Sequence, residues 1–325
     1  MAEIDMTATA IATQKLDSVD RPGWIKVVAP AKVNLYLNIG ERRDDGYHQA
    51  ESIFHALNLH DVVYVRTEFA APGSGLQLTV TLEGRAGLEV PQIEQEQNVA
   101  YKAVFALAKL VGRNQDEALT VRIVKNIPAQ AGLAGGSADA AAALVGVAKL
   151  WGIDPAGAQV EAAAQQLGSD VAFFLRGGCG CYTGKNDVFV RALTPSKASV
   201  VLVMPGGGVS TPEAYREFDK APTAVSEEAV AAAESASSAS EIKLANNLAP
   251  ASERLKPELV EVHEWLASQD GVSGADDVLL CGSGSCTFAV CESFAKASAI
   301  VAQAQMRGWW ARATSFSSIR AAVIS

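Results

Sequence analysis

The sequence predicts a mixed α/β (α+β) protein in two domains. A chain of 325 residues is long for one core and comfortable for two. Strand-like alternation and helix-like spacing interleave along it rather than falling into separate blocks. Two glycine-rich loops stand between regular elements, one near the middle of the chain and one near its end.

In chain order, alternating apolar runs from Val27 and again from Asp61 read as strands, broken by a polar turn at Arg43 to Gly46. "LQLTVTLEG" and "LTVRIVKNIP" are two further strand candidates. Between them, "NVAYKAVFALAKLVG" carries apolar residues at helical spacing and ends at Gly112. A helix follows the first glycine loop to about Leu150, then a second, "PAGAQVEAAAQQLG"; "DVAFFLRGGCGCY" is strand-like at its end. A second unit opens with the strand in "ASVVLVMPGGGVST". It continues with the amphipathic helix "LKPELVEVHEWLAS", a strand, glycine loop and strand in "DDVLLCGSGSCTFAVCES", and the helix "FAKASAIVAQAQMRG". "WWARATSFSSI" ends the sheet. The Ala/Ser/Glu-rich stretch 221–240 reads as a solvated, partly helical excursion of little functional weight. The boundaries that result are a disordered tail over 1–22, a first domain over 23–194 and a second over 195–325.

Composition removes several function classes. No stretch has the length of charge-free apolar sequence that a membrane span needs. The first residues lack a basic start followed by an apolar block, and Glu3, Asp5, Asp17 and Asp20 argue against a transit peptide. The five cysteines form no C-x-x-C, so neither a disulfide framework nor a zinc site is suggested; a reducing cytoplasm suits them. A net charge of −9 speaks against non-specific nucleic-acid binding, while leaving room for an anionic small substrate met by a local positive field.

"IPAQAGLAGGSADAA" carries the sharpest question. Gly132, Gly135, Gly136 and Ser137 follow a strand and open a helix. Free N–H groups in a first helical turn, together with the macrodipole, attract a phosphate. The same glycines also suit a turn that packs a helix closely on its neighbours, and both readings stay open on the residues alone. The loop lacks the Gly-Lys-Ser/Thr ending of a Walker A loop and the spacing of a dinucleotide fingerprint. Asp139, in the first turn, reads as a complement to the helix dipole.

"PAKVNLYLNIGERRDDGYH", "IPAQAGLAGGSADAA", "LGSDVAFFLRGG" and "LLCGSGSCTFAV" occur in that order, and together they resemble the GHMP superfamily of small-molecule kinases. Within it they look most like the branch acting on 4-diphosphocytidyl-2-C-methyl-D-erythritol in non-mevalonate isoprenoid synthesis. The resemblance implies an N-terminal ATP-binding domain, a C-terminal GHMP-kinase domain and an active site in the cleft between them. It implies an ATP-dependent kinase of an alcohol group, the 2-hydroxyl of that substrate, with ATP as co-substrate. Mg²⁺ would arrive on the nucleotide, and no residue is assigned as a metal ligand.

Carried over residue by residue, the resemblance makes Asp170 the general base and Lys32 its partner. Gly132, Leu133, Ala134, Gly135, Gly136 and Ser137 would wrap the triphosphate. Asn98 and Lys125 would lie along adenine and ribose. Tyr47 and His48 match the pair that reads the cytosine, Tyr215 a second aromatic across the base, and Asn34 a contact to the methylerythritol end. Three positions depart from the pattern. Cys281 stands where a hydroxyl residue is usual, Asn186 replaces a glycine, and Asn247 stands where N-D-L is typical. The implied partners are small molecules only, in a monomer or weak homodimer. A homoserine or mevalonate kinase is the rival within the superfamily, and a catalytically silent nucleotide sensor the rival outside it.

Overall fold

The computed structural model describes residues 23–85 and 88–324; the tail expected over 1–22 lies outside them. A long antiparallel hairpin organises the first half. Strands β1 (Ile25–Arg42) and β2 (His48–Glu68) pair along their lengths, from Ile25↔Val65 to Arg42↔His48. β2 therefore begins at His48, earlier than the run from Asp61 suggests. Its first half alternates less cleanly because both faces are covered. Register shifts fall between Pro30 and Lys32 and between Asn34 and Tyr36. A bulge re-aims side chains and tolerates a proline that cannot donate to the ladder. Lys32 and Asn34 thus sit between two irregularities of the strand, and a third falls between Ile39 and Arg42 near its end.

The far half of β2 pairs with β4 (Glu117–Lys125), and β3 (Leu76–Gly84) adds to β4 in parallel. The near half of β2 pairs with β5 (Cys179–Thr183), which pairs with β6 (Val188–Leu193). On one face lie α1 (Val99–Leu110), α2 (Gly135–Leu150), α3 (Ala158–Leu167) and α4 (Ser169–Arg176). The segment "DVAFFLR" is thus the body of helix α4, with Val171, Phe173 and Phe174 buried; the strand-like end of the run is β5, from Cys179.

Every residue of α2 from Ala138 to Ala148 is buried. A helix apolar all round belongs inside, and small side chains let it lie close to the sheet. A Cβ on Gly146 would stand 2.8 Å from Val65 Cγ2 and 3.1 Å from Val27 Cγ2, so α2 rests on the hairpin at backbone distance.

The second half builds an antiparallel sheet in the order β11 (Trp310–Ser315), β7 (Ser199–Met204), β10 (Thr287–Cys291), β9 (Val278–Leu280). Helices α8 (Glu258–Ala267) and α9 (Phe294–Met306) cover one face. The other face packs with β1 residues Ala31, Val33 and Leu35 in one apolar cluster that also includes Ile127 and Leu133. Two short strands from this half return to the first sheet. β8 (Ala245–Asn246) and β12 (Ala322–Val323) both pair with β1.

Helices α5 (Thr211–Lys220), α6 (Glu227–Ser235) and α7 (Ala249–Leu255) fill the connection. The stretch 221–240 is less solvated than its composition implies. Ser226 caps α6, Ala229, Ala233, Ala236 and Ala239 enter the shared cluster, and Arg191 donates to the Ala233 and Glu234 carbonyls at 2.8 and 2.9 Å. Alanine is too small to reveal a buried face by hydropathy, and a cation at a helix C-terminus is favoured by the dipole.

Candidate active site

The first glycine loop runs from the end of β4 into α2. Its shape is set by close approach to the second loop. Gly132 has φ +76°, and a Cβ there would lie 1.7 Å from the Cys281 carbonyl oxygen. No residue but glycine fits. The two loops are stitched by Ser285 N donating to Gln130 O at 3.0 Å and Cys286 N to Ala131 O at 3.2 Å, while Ser285 Oγ donates to Gly207 O at 2.8 Å. Ala134, at the helix N-cap, adopts φ +57° and ψ +31°. A left-handed non-glycine residue is uncommon, and here it turns the chain so that the N-terminus of α2 opens on the cleft.

That cleft, about 700 Å³, is walled by Lys32, Asn34, Gly132, Gly135, Gly136 and Asp170, and farther along by Leu82, Val90, Ile93 and Asn98. Lys32 is 5% exposed. Its ammonium donates to Asn34 Oδ1 at 2.8 Å and Gly132 O at 3.1 Å, over the Phe54 ring at 5.3 Å. Asn34 in turn donates to Ser52 Oγ at 3.2 Å. Asp170, in the first turn of α4, faces the same cleft without an ion pair to Lys32.

Lys125 is held differently. Its ammonium donates to Asp61 Oδ2 and, at 2.5 Å, to Asp139 Oδ2. Asp61 also accepts from Asn126 N and Ile127 N. Burial opposes the charge on Lys125, but Asp139 and Asp61 outweigh it and raise its pKa. Burial also pushes the Asp139 carboxyl up, with Lys125 opposing, and Asp139 Oδ1 is buried without a protein partner. Asp139 is thus a cleft-wall residue bonded to Lys125 rather than a simple dipole complement.

A second pocket of about 440 Å³ adjoins the cleft, sharing Lys185, Asn186, Thr211, Pro212 and Tyr215 with it. Tyr47 stands on its rim, 58% exposed, with the Lys185 ammonium 4.5 Å from the ring centroid. His48 is buried, 5.2 Å from Tyr215 between ring centroids, and its Nε2 lies 2.7 Å from Asp219 Oδ1. Burial, then the Asp170 carboxylate, push the Tyr215 phenol up to about 12, so Tyr215 stays neutral between the two cavities.

Residues 98–178 match the GHMP kinases N terminal domain family and residues 227–307 the GHMP kinases C terminal family. A protein of Nocardia farcinica named 4-diphosphocytidyl-2-C-methyl-D-erythritol kinase is 37% identical over 293 residues, 87% of this chain and 90% of that one. The chain belongs to this kinase family. A kinase of the same name from Desulfitobacterium hafniense is 37% identical over 285 residues, 86% of this chain and 91% of that one. For the one from Mycolicibacterium vanbaalenii, 42% identity extends over 198 residues, 61% of this chain and 58% of that one. A crystal structure of 4-(cytidine 5'-diphospho)-2C-methyl-D-erythritol kinase superposes with a TM-score of 0.67 at 30% identity, covering 90% of this chain and 99% of that one. Homoserine kinase from Cytophaga hutchinsonii, at TM-score 0.66 and 18% identity over 95% of this chain and all of that one, shares the fold. The protein is a small-molecule kinase with ATP as co-substrate.

Most of the residues singled out in this kinase gather around the two cavities. Leu133 and Ser137 do not line the cleft: Leu133 is buried in the shared core, where its carbonyl accepts from Lys32 N at 3.1 Å. Asn98 lines it while capping α1, its Oδ1 accepting from Ala100 N at 2.8 Å. Of the three departures, Asn186 holds φ +68°, the conformation a glycine would supply. Cys281 is buried, and Asn247 ties β1 to the connection by bonding Ile39 N and O and Thr223 O. Asp61, Asp219 and Lys185 give no signal in sequence, because each acts through partners far along the chain. Among the described residues no helix is long and apolar enough to cross a membrane.

Proposed function

We propose that this kinase transfers the γ-phosphate of ATP to the 2-hydroxyl of 4-diphosphocytidyl-2-C-methyl-D-erythritol. The observation that carries the reading is the joining of two cavities at Tyr215: a glycine-loop cleft holding Lys32 and Asp170, and a pocket lined by Tyr47, His48 and Tyr215. The acceptor has the matching order, with a base at one end and the reacting hydroxyl at the other.

The triphosphate lies against the N-terminus of α2, where backbone N–H groups and the dipole meet its charge. Its adenine takes the apolar end of the cleft near Leu82, Val90 and Ile93. Asp170 accepts the proton of the attacking hydroxyl. Lys32, whose ammonium is bonded to neutral acceptors among the described residues, directs its field at the transferring phosphoryl group. Asn34 fixes Lys32 and faces the polyol end. Tyr47 and Tyr215 take the base between them by stacking.

The acidic cleft-wall atoms fit a cation carried in on the nucleotide: Asp170 and the unpartnered Asp139 Oδ1, one turn into α2. No cluster of three or more His, Cys, Asp or Glu side chains among the described residues forms a protein cage for a metal. Bound there, Mg²⁺ supplies charge neutralisation to the phosphates.

The test is ADP release with Mg-ATP and three acceptors at saturation: the cytidyl diphosphate of methylerythritol, mevalonate and homoserine. Turnover confined to the cytidyl acceptor is the predicted result. Turnover on either of the others instead overturns the assignment of the smaller pocket.

A further inference from the structure

The bond between His48 and Asp219 has a consequence for which base the smaller pocket accepts. Asp219, in the last turn of α5, receives His48 Nε2 at 2.7 Å, and the Arg42 guanidinium flanks its other oxygen at 3.9 Å. A carboxylate oxygen accepts, so the proton of this bond sits on Nε2, and an imidazole carrying that single proton presents the lone pair of Nδ1. Turning the ring over would exchange the two nitrogens and break the bond to Asp219. The ring is wedged by Tyr215 and by the edge of Phe218 at 6.2 Å, and its side chain is 7% exposed. Nδ1 has no protein hydrogen-bond partner among the described residues, and His48 lines the pocket. The pocket therefore holds one fixed acceptor beside aromatic faces.

We propose that Asp219 is a positioning residue that sets the base preference of this pocket. Through His48 it presents an acceptor, which matches the exocyclic amine of cytosine and opposes the carbonyl in the same position of uracil. The inference rests on reading the smaller pocket as the base pocket. Facing an acceptor with a carbonyl leaves both unpaired on binding, which discriminates by about 10- to 100-fold.

Calorimetric titration of the full-length protein with CDP and with UDP tests this. Wild type binds CDP about 10- to 100-fold more tightly than UDP. In Asp219→Asn, the new amide can donate to Nε2 and move the ring proton to Nδ1. CDP then weakens by about tenfold while UDP holds or improves, so the ratio collapses. In a His48→Phe background, adding Asp219→Asn changes the ratio no further. Asp219→Asn weakening both nucleotides equally, or leaving the wild-type ratio intact, overturns the positioning role and spares the pocket assignment. A wild type with no preference for CDP overturns the base-pocket reading and this proposal with it.

Discussion

Lys32 and Lys125 are both buried lysines on the wall of one cleft, and they are held in opposite ways. Lys32 rests on an amide oxygen and a backbone carbonyl, so among the described residues its charge meets no counter-charge within ion-pair distance. Lys125 lies between two carboxylates and joins the end of β4 to Asp61 of β2 and Asp139 of α2. A cation among neutral acceptors keeps its field for an incoming anion; a cation between carboxylates has given it up to the fold. The first suits phosphoryl transfer, and the second suits a clamp behind the glycine loop.

The comparison breaks most easily by removing each ammonium in turn. Lys32→Met lowers kcat by about 10²- to 10³-fold, the scale of losing one transition-state donor. Its melting temperature changes little, since no buried carboxylate is left alone. Lys125→Met does the reverse. It strands Asp61 and Asp139 and costs about 3–5 kcal/mol of stability by denaturant unfolding. Adding Asp139→Asn to that variant recovers part of the loss, whereas the same pair of effects at Lys32 would show that the two lysines do not differ.

His55 sharpens the comparison, because it is buried and, among the described residues, no carboxylate bonds it. Its Nδ1 donates to Ala56 O at 2.9 Å and its Nε2 accepts from Ser196 N at 2.9 Å, which requires the neutral ring. Burial is the main cause that takes its pKa from 6.5 to about 4, with the Ala56 carbonyl opposing. As pH falls through 6.5 the unfolded chain takes a proton that the folded chain refuses. Stability therefore declines from pH 6.5 down to about 4, by about 3 kcal/mol in all. Urea unfolding across that range checks it: His55→Gln, lower in stability at pH 7, lacks this part of the slope.

The smallest effect concerns the loop that Lys32 grips. Ala134→Gly relieves a left-handed alanine and raises stability by up to about 1 kcal/mol. A loss of stability in thermal unfolding would mean that the Ala134 methyl packs more than it strains.

What was legible in the sequence was local. Lys32, Asp170 and the glycine loops announce themselves within short motifs, and the fold brings them to one cleft. The turn before Tyr47 follows from polar clustering, and apolar spacing gives the body of α2, though the helix already begins at Gly135. What was hidden acts over distance or through small residues. Asp219 meets His48 from 171 positions away, and Asp61 meets Lys125 from 64. Neither carboxylate stands in a pattern that singles it out. Helix α6 looked solvated because buried alanines and exposed ones read alike. The Lys32 ammonium lies on Asn34 and Gly132 instead of Asp170, on a stretch of β1 flanked by register shifts that no periodicity reveals.

Single-turnover transfer by Asp170→Asn, with ATP and the cytidyl acceptor already bound, tests the central claim most directly. Loss of the base predicts transfer slowed by about 10²-fold or more with both dissociation constants unchanged. Transfer at close to the wild-type rate would contradict the assignment of Asp170, and with it the placement of the reacting hydroxyl in this cleft.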